Sequence, residues 1–349
     1  MQNASVQLTA CDVGPRAKIS LAALYSLMCL SGTVLNVSVV YLVVTFRKLR
    51  TASNAFIVNG CVADLLVCAF WMPHEAAGVS YGGPLAAGYQ AFKDALLFLG
   101  VTVSLLSHSL IAVNRYVLIT KSPATYLSIY QKRHTEWMIC ASWLSALGCL
   151  LPWVTSPRYP MEGCSYLPAS AASLLSGGKP VLSDSFAAGT LVFTISVQTL
   201  VVLYCYFKIF RKVQISVKRV SILQFPIANN LPSYSFPRKD KRLGFYVLAV
   251  CFIFIVTTEP FFWVLLTDLF TSVSLALRTC SWMIFCTIFV TNPFLYTWKN
   301  EEFRRSFRSI LRGDFWRGSS VGIEPVTLNT ITHPFQRQNS RRAFLAEMN

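Results

Sequence analysis

Seven apolar runs, each long enough to cross a bilayer as a helix, leave this chain few folds to choose from. They cover about Ile19 to Phe46, Asn54 to Gly78, Gln90 to Ile119, Trp137 to Val154, Ser185 to Val213, Leu243 to Phe270 and Leu277 to Trp298. A helix needs about 20 apolar residues to span the hydrocarbon core, whereas a membrane-barrel strand needs about ten in alternation. The runs do not alternate, so the expected fold class is all-α: a seven-transmembrane helix bundle. Composition agrees, since 54% of the 349 residues are hydrophobic and only 13% are charged, against roughly 25% in a soluble domain. The third run carries no Asp, Glu, Lys or Arg from Ala95 to Val113, then ends in Asn114-Arg115-Tyr116.

A formal net charge of +16 raises the question of nucleic acid. The basic residues, however, lie in short clusters between apolar runs and not on one face of a domain, so no nucleic-acid partner is expected. Arg47, Lys48 and Arg50 follow the first run, and Lys121, Lys132 and Arg133 the third. Lys208, Arg211, Lys212, Lys218, Arg219, Arg238, Lys239, Lys241 and Arg242 follow the fifth, and Arg304, Arg305 and Arg308 the seventh. The opposite side holds only Arg16, Lys18, Lys93, Arg158, Lys179 and Arg278. The positive-inside rule makes the first group cytoplasmic and the N-terminus extracellular. The expected localisation is the plasma membrane, multi-pass. The sequon Asn3-Ala4-Ser5 falls on the outer side, making Asn3 a candidate glycosylation site.

The chain divides into an extracellular N-terminus (1–18), the bundle (19–298), an amphipathic membrane-surface helix (299–312) and a disordered cytoplasmic tail (313–349). The first run has no small-residue cleavage site before it and reads as a retained span, not a signal peptide. Between bundle and tail, Phe303, Phe307, Ile310 and Leu311 recur at helical spacing while Arg304, Arg305, Arg308 and Arg312 fill the other faces. That pattern suits a helix lying on the inner leaflet. No cysteine follows it, which excludes a palmitate anchor there. Pro226, Pro232 and Pro237, with Asn229 and Asn230, argue against one continuous helix from the fifth run to the sixth.

Of eleven cysteines, eight lie inside apolar runs, where cysteine behaves as a small hydrophobe. Cys11, Cys164 and Cys280 fall at or outside the ends of runs, and no CxxC pair suggests zinc or redox chemistry. Ionisable groups inside the runs are expensive and so are candidates for function. Asp64 lies midway along the second run, His108 in the third, and Glu259 in the sixth beside Pro260. Pro260 and Pro293 each remove a helix hydrogen bond and are expected to kink the sixth and seventh runs. Kinked helices around a polar interior make a bundle that can hold two arrangements and carry a signal without transport.

Gly32-Thr33-Val34-Leu35-Asn36, the Asp64 run, Asn114-Arg115-Tyr116, Trp143 and Asn292-Pro293-Phe294-Leu295-Tyr296 stand on successive spans in the order seen in one family. The chain resembles the rhodopsin-like (class A) G-protein-coupled receptors from about Ser31 to Leu311. More narrowly, FRKL, TASNAFIVNGCVADL, TVSLLSH, SVKRVS and LYTWKNEEFRRS are similar to a striatum-enriched orphan branch of that class. The resemblance implies a heterotrimeric G protein as partner, of the Gi/o class from the closer likeness, together with arrestin and receptor kinases. It implies a coupling and activation switch of Asn114, Arg115, Tyr116, Tyr206, Asp240, Phe254, Asn292, Pro293 and Tyr296. Arg115 would enter the G-protein contact, and Tyr206 and Tyr296 would swing in to support it. It also implies a mid-membrane sodium pocket of Asn36, Asp64, Ser104 and Asn292, whose hard oxygen donors suit such an ion; no other cofactor is expected.

Several positions depart from the family pattern. Asn114 replaces the usual acid before the arginine, leaving Asp240 as the carboxylate from which relatives clamp it. The resemblance therefore implies a resting lock from Arg115 to Asp240 and measurable basal signalling. Thr258 stands in place of the sixth-span tryptophan, Gln198 in place of the fifth-span proline, and Gln90 in place of the disulfide cysteine of the third span. Cys164 is thereby left to pair with Cys11 or Cys280 or to stay free. Leu97 stands where amine receptors carry an aspartate, and Cys286 where light-sensing relatives carry the retinal lysine. Amine and retinal readings both fail on that chemistry. A candidate ligand pocket of Trp71, Leu97, Val101, Glu259, Phe262, Trp282 and Phe285 suits a hydrophobic small molecule or lipid.

Among other classes, a transporter would show an inverted repeat and broken mid-membrane helices, neither of which is present. No nucleophile, base and metal-ligand set recurs on any run, so no enzyme is expected. A receptor that binds without coupling is the nearer rival, because Asn114 and Thr258 both leave the switch pattern. Lys218-Arg219-Val220-Ser221 matches a basophilic kinase site, a pattern as readily met by chance in a basic loop.

Overall fold

The computed structural model describes residues 14–81, 87–155, 182–224, 237–271, 273–297 and 300–312. Their regular structure is helical throughout. The spans are Pro15–Thr45, Ala52–Tyr81, Ala87–Thr120, Lys132–Thr155, Leu182–Gln224, Pro237–Asp268, and a seventh in two pieces, Leu275–Cys286 and Ile288–Thr297. Among the described residues six of these helical stretches are long and apolar enough to cross a membrane. The remaining helix, Lys132–Thr155, carries the fourth apolar run. A short helix, Pro123–Ile129, follows the third span, and Glu301–Leu311 follows the seventh.

Helix ends follow local chemistry. Thr51 caps the second span by accepting from the Asn54 backbone N–H, Ser122 caps the short helix at Thr125, and Ser274 caps the seventh span at Leu277. Pro15 and Pro123 occupy first-turn positions that need no N–H donor. The helix Glu301–Leu311 places Glu301 and Glu302 in its first turn and Arg308 in its last, as the helix dipole favours.

The third span is the axis of the bundle. Two thirds of its most apolar stretch (67%) is buried, against 33% for the first, fifth and sixth spans. It packs on the second, fourth and fifth spans, while the sixth packs on the fifth and seventh and the first on the second and seventh. Gly100 makes one of these contacts possible: a Cβ there would stand 3.0 Å from the Ala63 carbonyl oxygen. A polar node fixes the fourth span. Trp143 Nε1 donates to Asn59 Oδ1 at 2.8 Å, and Asn59 Nδ2 donates to Ser107 at 2.8 Å and to Ser142 at 3.3 Å.

Pro260 and Pro293 both lie inside helices, and two spans carry a local irregularity elsewhere. Residues Leu66–Trp71 of the second span form a π-helical turn that ends just before Pro73. A widened turn accommodates the missing N–H of that proline. The seventh span breaks at Thr287, not at Pro293, which sits within the continuous helix Ile288–Thr297. The Phe289 carbonyl, which Pro293 cannot reach with a donor, accepts instead from Asn36 Nδ2 at 2.9 Å. The fifth span, with Gln198 in place of proline, runs unbroken for 43 residues, well past the expected end at Val213.

Candidate functional site

Polar and aromatic side chains gather at three depths: at the Arg115 end, at mid-bundle, and toward the opposite end. At the first, Arg115 Nη1 donates to the Tyr246 hydroxyl at 2.9 Å, and that hydroxyl donates to the Leu295 carbonyl at 2.7 Å. The guanidinium also lies over the Tyr246 ring, 5.3 Å from its centroid. One phenol thus joins the third, sixth and seventh spans. Tyr206 of the fifth span is 2% exposed, and its hydroxyl has no hydrogen-bond partner.

Asn114 points elsewhere. It is buried and donates through Nδ2 to the Tyr126 hydroxyl at 3.3 Å, so it grips the short helix Pro123–Ile129. Tyr126 lies tilted against Tyr130 at 5.0 Å, and Tyr130 meets Phe56 of the second span at 6.0 Å. Burial beside Tyr126 pushes the Tyr130 phenol up to about 12. Tyr116 rests against Tyr204 at 6.2 Å. The side chains of Asp240 and Tyr296, and all of Asn3, Cys11 and Cys164, lie outside the described residues.

At mid-bundle, Ser104 donates to Asp64 Oδ1 at 2.5 Å and Asn292 Nδ2 donates to Asp64 Oδ2 at 3.2 Å. A small cavity touches Asp64, Ser104, His108, Asn292 and Pro293. Asn36 stands behind, its Nδ2 shared between the carbonyls of Gly32 and Phe289. The side-chain oxygens of Asn36 and Asn292 are buried without a partner. Two hard oxygen donors near a buried carboxylate fit a small monovalent cation by donor type. His108 lies tilted against Phe254 at 5.6 Å. Thr258 is fully buried and donates to its own helix at the Phe254 carbonyl, 2.7 Å away.

Toward the opposite end, Tyr25, Trp71, Trp282, Phe261 and Phe285 form one aromatic cluster. Ring centroids are 5.7 Å apart for Tyr25 and Trp71, 5.6 Å for Trp71 and Trp282, and 4.8 Å for Phe261 and Phe285. Trp282 Nε1 donates to the Tyr25 hydroxyl at 3.2 Å. The sixth-span member is therefore Phe261, whereas Phe262 pairs with the exposed Trp263. Leu97 and Val101 are buried on the third span. Glu259 turns to the fifth span, accepting from Thr199 at 3.0 Å, and next to it Ser109 donates to Gln198.

Two ion pairs near the same end were not anticipated. Lys93 meets Glu75, and Arg278 meets Asp268; all four side chains are at most 5% exposed. Glu75 interrupts the second apolar run, a signal that was available, but Lys93 reads in sequence as an ordinary charge outside the membrane. Around the first pair, His74 joins Tyr89 at 2.5 Å and Gln90 donates to Asp94 at 3.1 Å. Gln90, where relatives place a disulfide cysteine, thus stands within a polar seam between the second and third spans. Among the described residues no disulfide forms, and Cys280 is exposed with a free thiol.

Residues 35–296 match the family model for the seven-transmembrane receptors of the rhodopsin family. The chain belongs to that family. Human melanopsin is 30% identical over 217 residues, 60% of this chain and 43% of that protein. Rat somatostatin receptor type 4 is 25% identical over 305 residues, 85% of this chain and 74% of its own. Human melatonin receptor type 1B is 31% identical over 180 residues, 50% of this chain and 46% of its own. The match therefore spans less than half of human melanopsin. This rhodopsin-family receptor is a multi-pass membrane protein and not an enzyme.

Proposed function

We propose that this rhodopsin-family receptor passes a signal from an extracellular or membrane-borne ligand to a heterotrimeric G protein of the Gi/o class, lowering cAMP. The observation that carries the reading is Arg115 at the mouth of the third span, tied through Tyr246 to the sixth and seventh spans. An arginine whose hold depends on three helices senses their relative positions, which is what a transmembrane switch requires. The basic clusters near it set that end as cytoplasmic, with the N-terminus outside in the plasma membrane. Arrestin and receptor kinases are the further partners that the family likeness suggests.

The ligand is a hydrophobic small molecule or lipid. The aromatic cluster around Trp71, Trp282 and Phe285 supports this, as does Leu97 in place of an amine-binding acid. Retinal bound as a Schiff base is not proposed, because Cys286 stands at the lysine place and no lysine occurs between Leu275 and Thr297. Sodium is the ion for Asp64, Ser104, Asn292 and Asn36, supported by the unpartnered amide oxygens of both asparagines. Basal signalling follows from the neutral Asn114, which supplies no carboxylate to Arg115 and is turned to Tyr126. Asp240→Ala is expected to raise it further by removing the carboxylate from which the family likeness clamps Arg115.

The test is nucleotide exchange on purified Gi by the full-length receptor in lipid nanodiscs. Ligand-independent exchange that disappears in Arg115→Ala supports coupling. A wild-type receptor that drives no exchange on any G-protein class would instead be the decoy that the departures at Asn114 and Thr258 favour.

A further inference from the structure

We propose that Glu75 and Arg278 form a site for a zwitterionic amphiphile, whose ammonium Glu75 takes, whose anionic group Arg278 takes, and whose apolar chain lies on the aromatic cluster. The inference rests on the reading of the ligand as a hydrophobic small molecule or lipid, and names the head group such a molecule would carry. Trp71 and Trp282 set the level: their rings stand 5.6 Å apart and join the second and seventh spans. Glu75 lies four residues after Trp71, and Arg278 four before Trp282. Residues four apart share a helix face. The two spans run in opposite directions, so both steps lead away from the Arg115 end. A carboxylate and a guanidinium are thus carried from one tryptophan contact onto one level, next to the rings of Tyr25, Trp71 and Trp282. Glu75 is also within electrostatic reach of Tyr25 in that cluster.

Both charged groups are only half used by their partners. Glu75 accepts from Lys93 through Oε1, and Arg278 donates to Asp268 through Nη2. Glu75 Oε2, Arg278 Nε and Nη1, and Trp71 Nε1 are buried with no hydrogen-bond partner. Trp71, Glu75 and Arg278 are 0%, 1% and 4% exposed, so water does little to relieve them. Polar groups left in that condition are costly, and the three residues ask for complementary things. The guanidinium and the indole N–H want an acceptor, and the carboxylate oxygen wants a donor. A bare anion would satisfy Arg278 and leave Glu75 as it is; a bare cation would do the reverse. A head group with one charge of each sign satisfies both and adds no net charge to a region already holding two ion pairs.

The probe is a short-chain lysophosphatidylethanolamine, titrated onto the full-length receptor in lipid nanodiscs. The readout is the melting temperature, which a ligand of the folded state raises in a saturable way. Lysophosphatidic acid, an alkylamine and a monoacylglycerol of the same chain length supply the anion, the cation and the uncharged head separately. Lysophosphatidylethanolamine is expected to bind about tenfold more tightly than any of the three, the order expected for one hydrogen bond to a charged group. Arg278→Lys keeps a cation for Asp268 but removes the guanidinium donors, and should weaken that binding about tenfold. Glu75→Met with Lys93→Met removes the partner of the ammonium and should bring lysophosphatidylethanolamine and lysophosphatidic acid to equal affinity. A control lipid that binds the wild type as tightly as lysophosphatidylethanolamine, affinity unchanged in Arg278→Lys, or a preference that survives the double variant overturns the site and leaves a lipid ligand standing. No binding of any probe overturns the site and the lipid reading together, while nucleotide exchange on Gi by the same preparation reports on coupling by itself.

Discussion

Asn36 of the first span donates its side-chain amide to the carbonyl of Phe289 in the seventh, 2.9 Å away. That carbonyl is the one Pro293 leaves without a helical donor, four residues on. In lipid no water fills such a gap, so another span must. Asn36 therefore explains how a proline stands inside the helix Ile288–Thr297 without ending it.

Asn36→Ala should leave that carbonyl with only the weak Cys68 thiol contact at 3.9 Å and lower stability by about 1–3 kcal/mol, the cost of a poorly satisfied buried polar group. Thermal unfolding of the detergent-solubilised receptor measures it. An unchanged midpoint would mean that the carbonyl finds another donor.

Gly100→Ala places a methyl group 3.0 Å from the backbone oxygen of Ala63, an atom that cannot rotate away. The second and third spans must separate slightly, at a cost of about 1–3 kcal/mol. Gly148, with nothing near its Cβ direction, provides the control: Gly148→Ala should leave the melting temperature where it is or raise it.

The buried pair Glu75 and Lys93 calls for a double-mutant cycle. Removing either partner alone leaves the other charge buried without its counter-ion and should cost about 3–5 kcal/mol. Glu75→Met with Lys93→Met together should recover most of that loss, as judged by melting temperature and cell-surface expression. Additive losses would show that the two residues do not interact.

Asp64→Asn removes the carboxylate from the mid-bundle cluster while keeping its shape. Basal exchange by the wild type should fall as sodium replaces potassium at constant ionic strength, and the variant should lose that dependence. A sodium response that survives in Asp64→Asn would place the ion elsewhere.

Asn114→Asp supplies the carboxylate that the family pattern has beside the arginine. It should lower basal exchange severalfold, by giving Arg115 a charged holder in addition to Tyr246. Equal basal exchange in both forms would show that residue 114 acts only on the helix Pro123–Ile129.

Much of the site was legible one residue at a time, because a polar group inside an apolar run announces itself. Asp64 stands out this way, Ser104, Asn292 and Asn36 come from the family likeness, and the structure gathers the four at one level of the bundle. Tyr246 does not stand out, since a tyrosine near the end of a hydrophobic helix is ordinary until its neighbours are known. The choice of Phe262 over Phe261 illustrates the same limit. Adjacent positions point about 100° apart around a helix, and only the rotation of the sixth span puts Phe261 against Trp282 and Phe262 beside Trp263. Lys93 and Glu75 likewise carry opposite charges in separate runs, and nothing local says that they meet.

The sequence by itself determined that the chain crosses a membrane, that its spans are helical, and which polar residues they hold. Those follow from the high cost of exposed backbone and charge in lipid, a cost that each segment meets alone. The tertiary structure decided which polar residues become partners: Arg115 with Tyr246, Asn114 with Tyr126, Asn36 with Phe289 and Glu75 with Lys93. A pairing depends on the rotation and depth of two helices at once, which neither segment specifies alone.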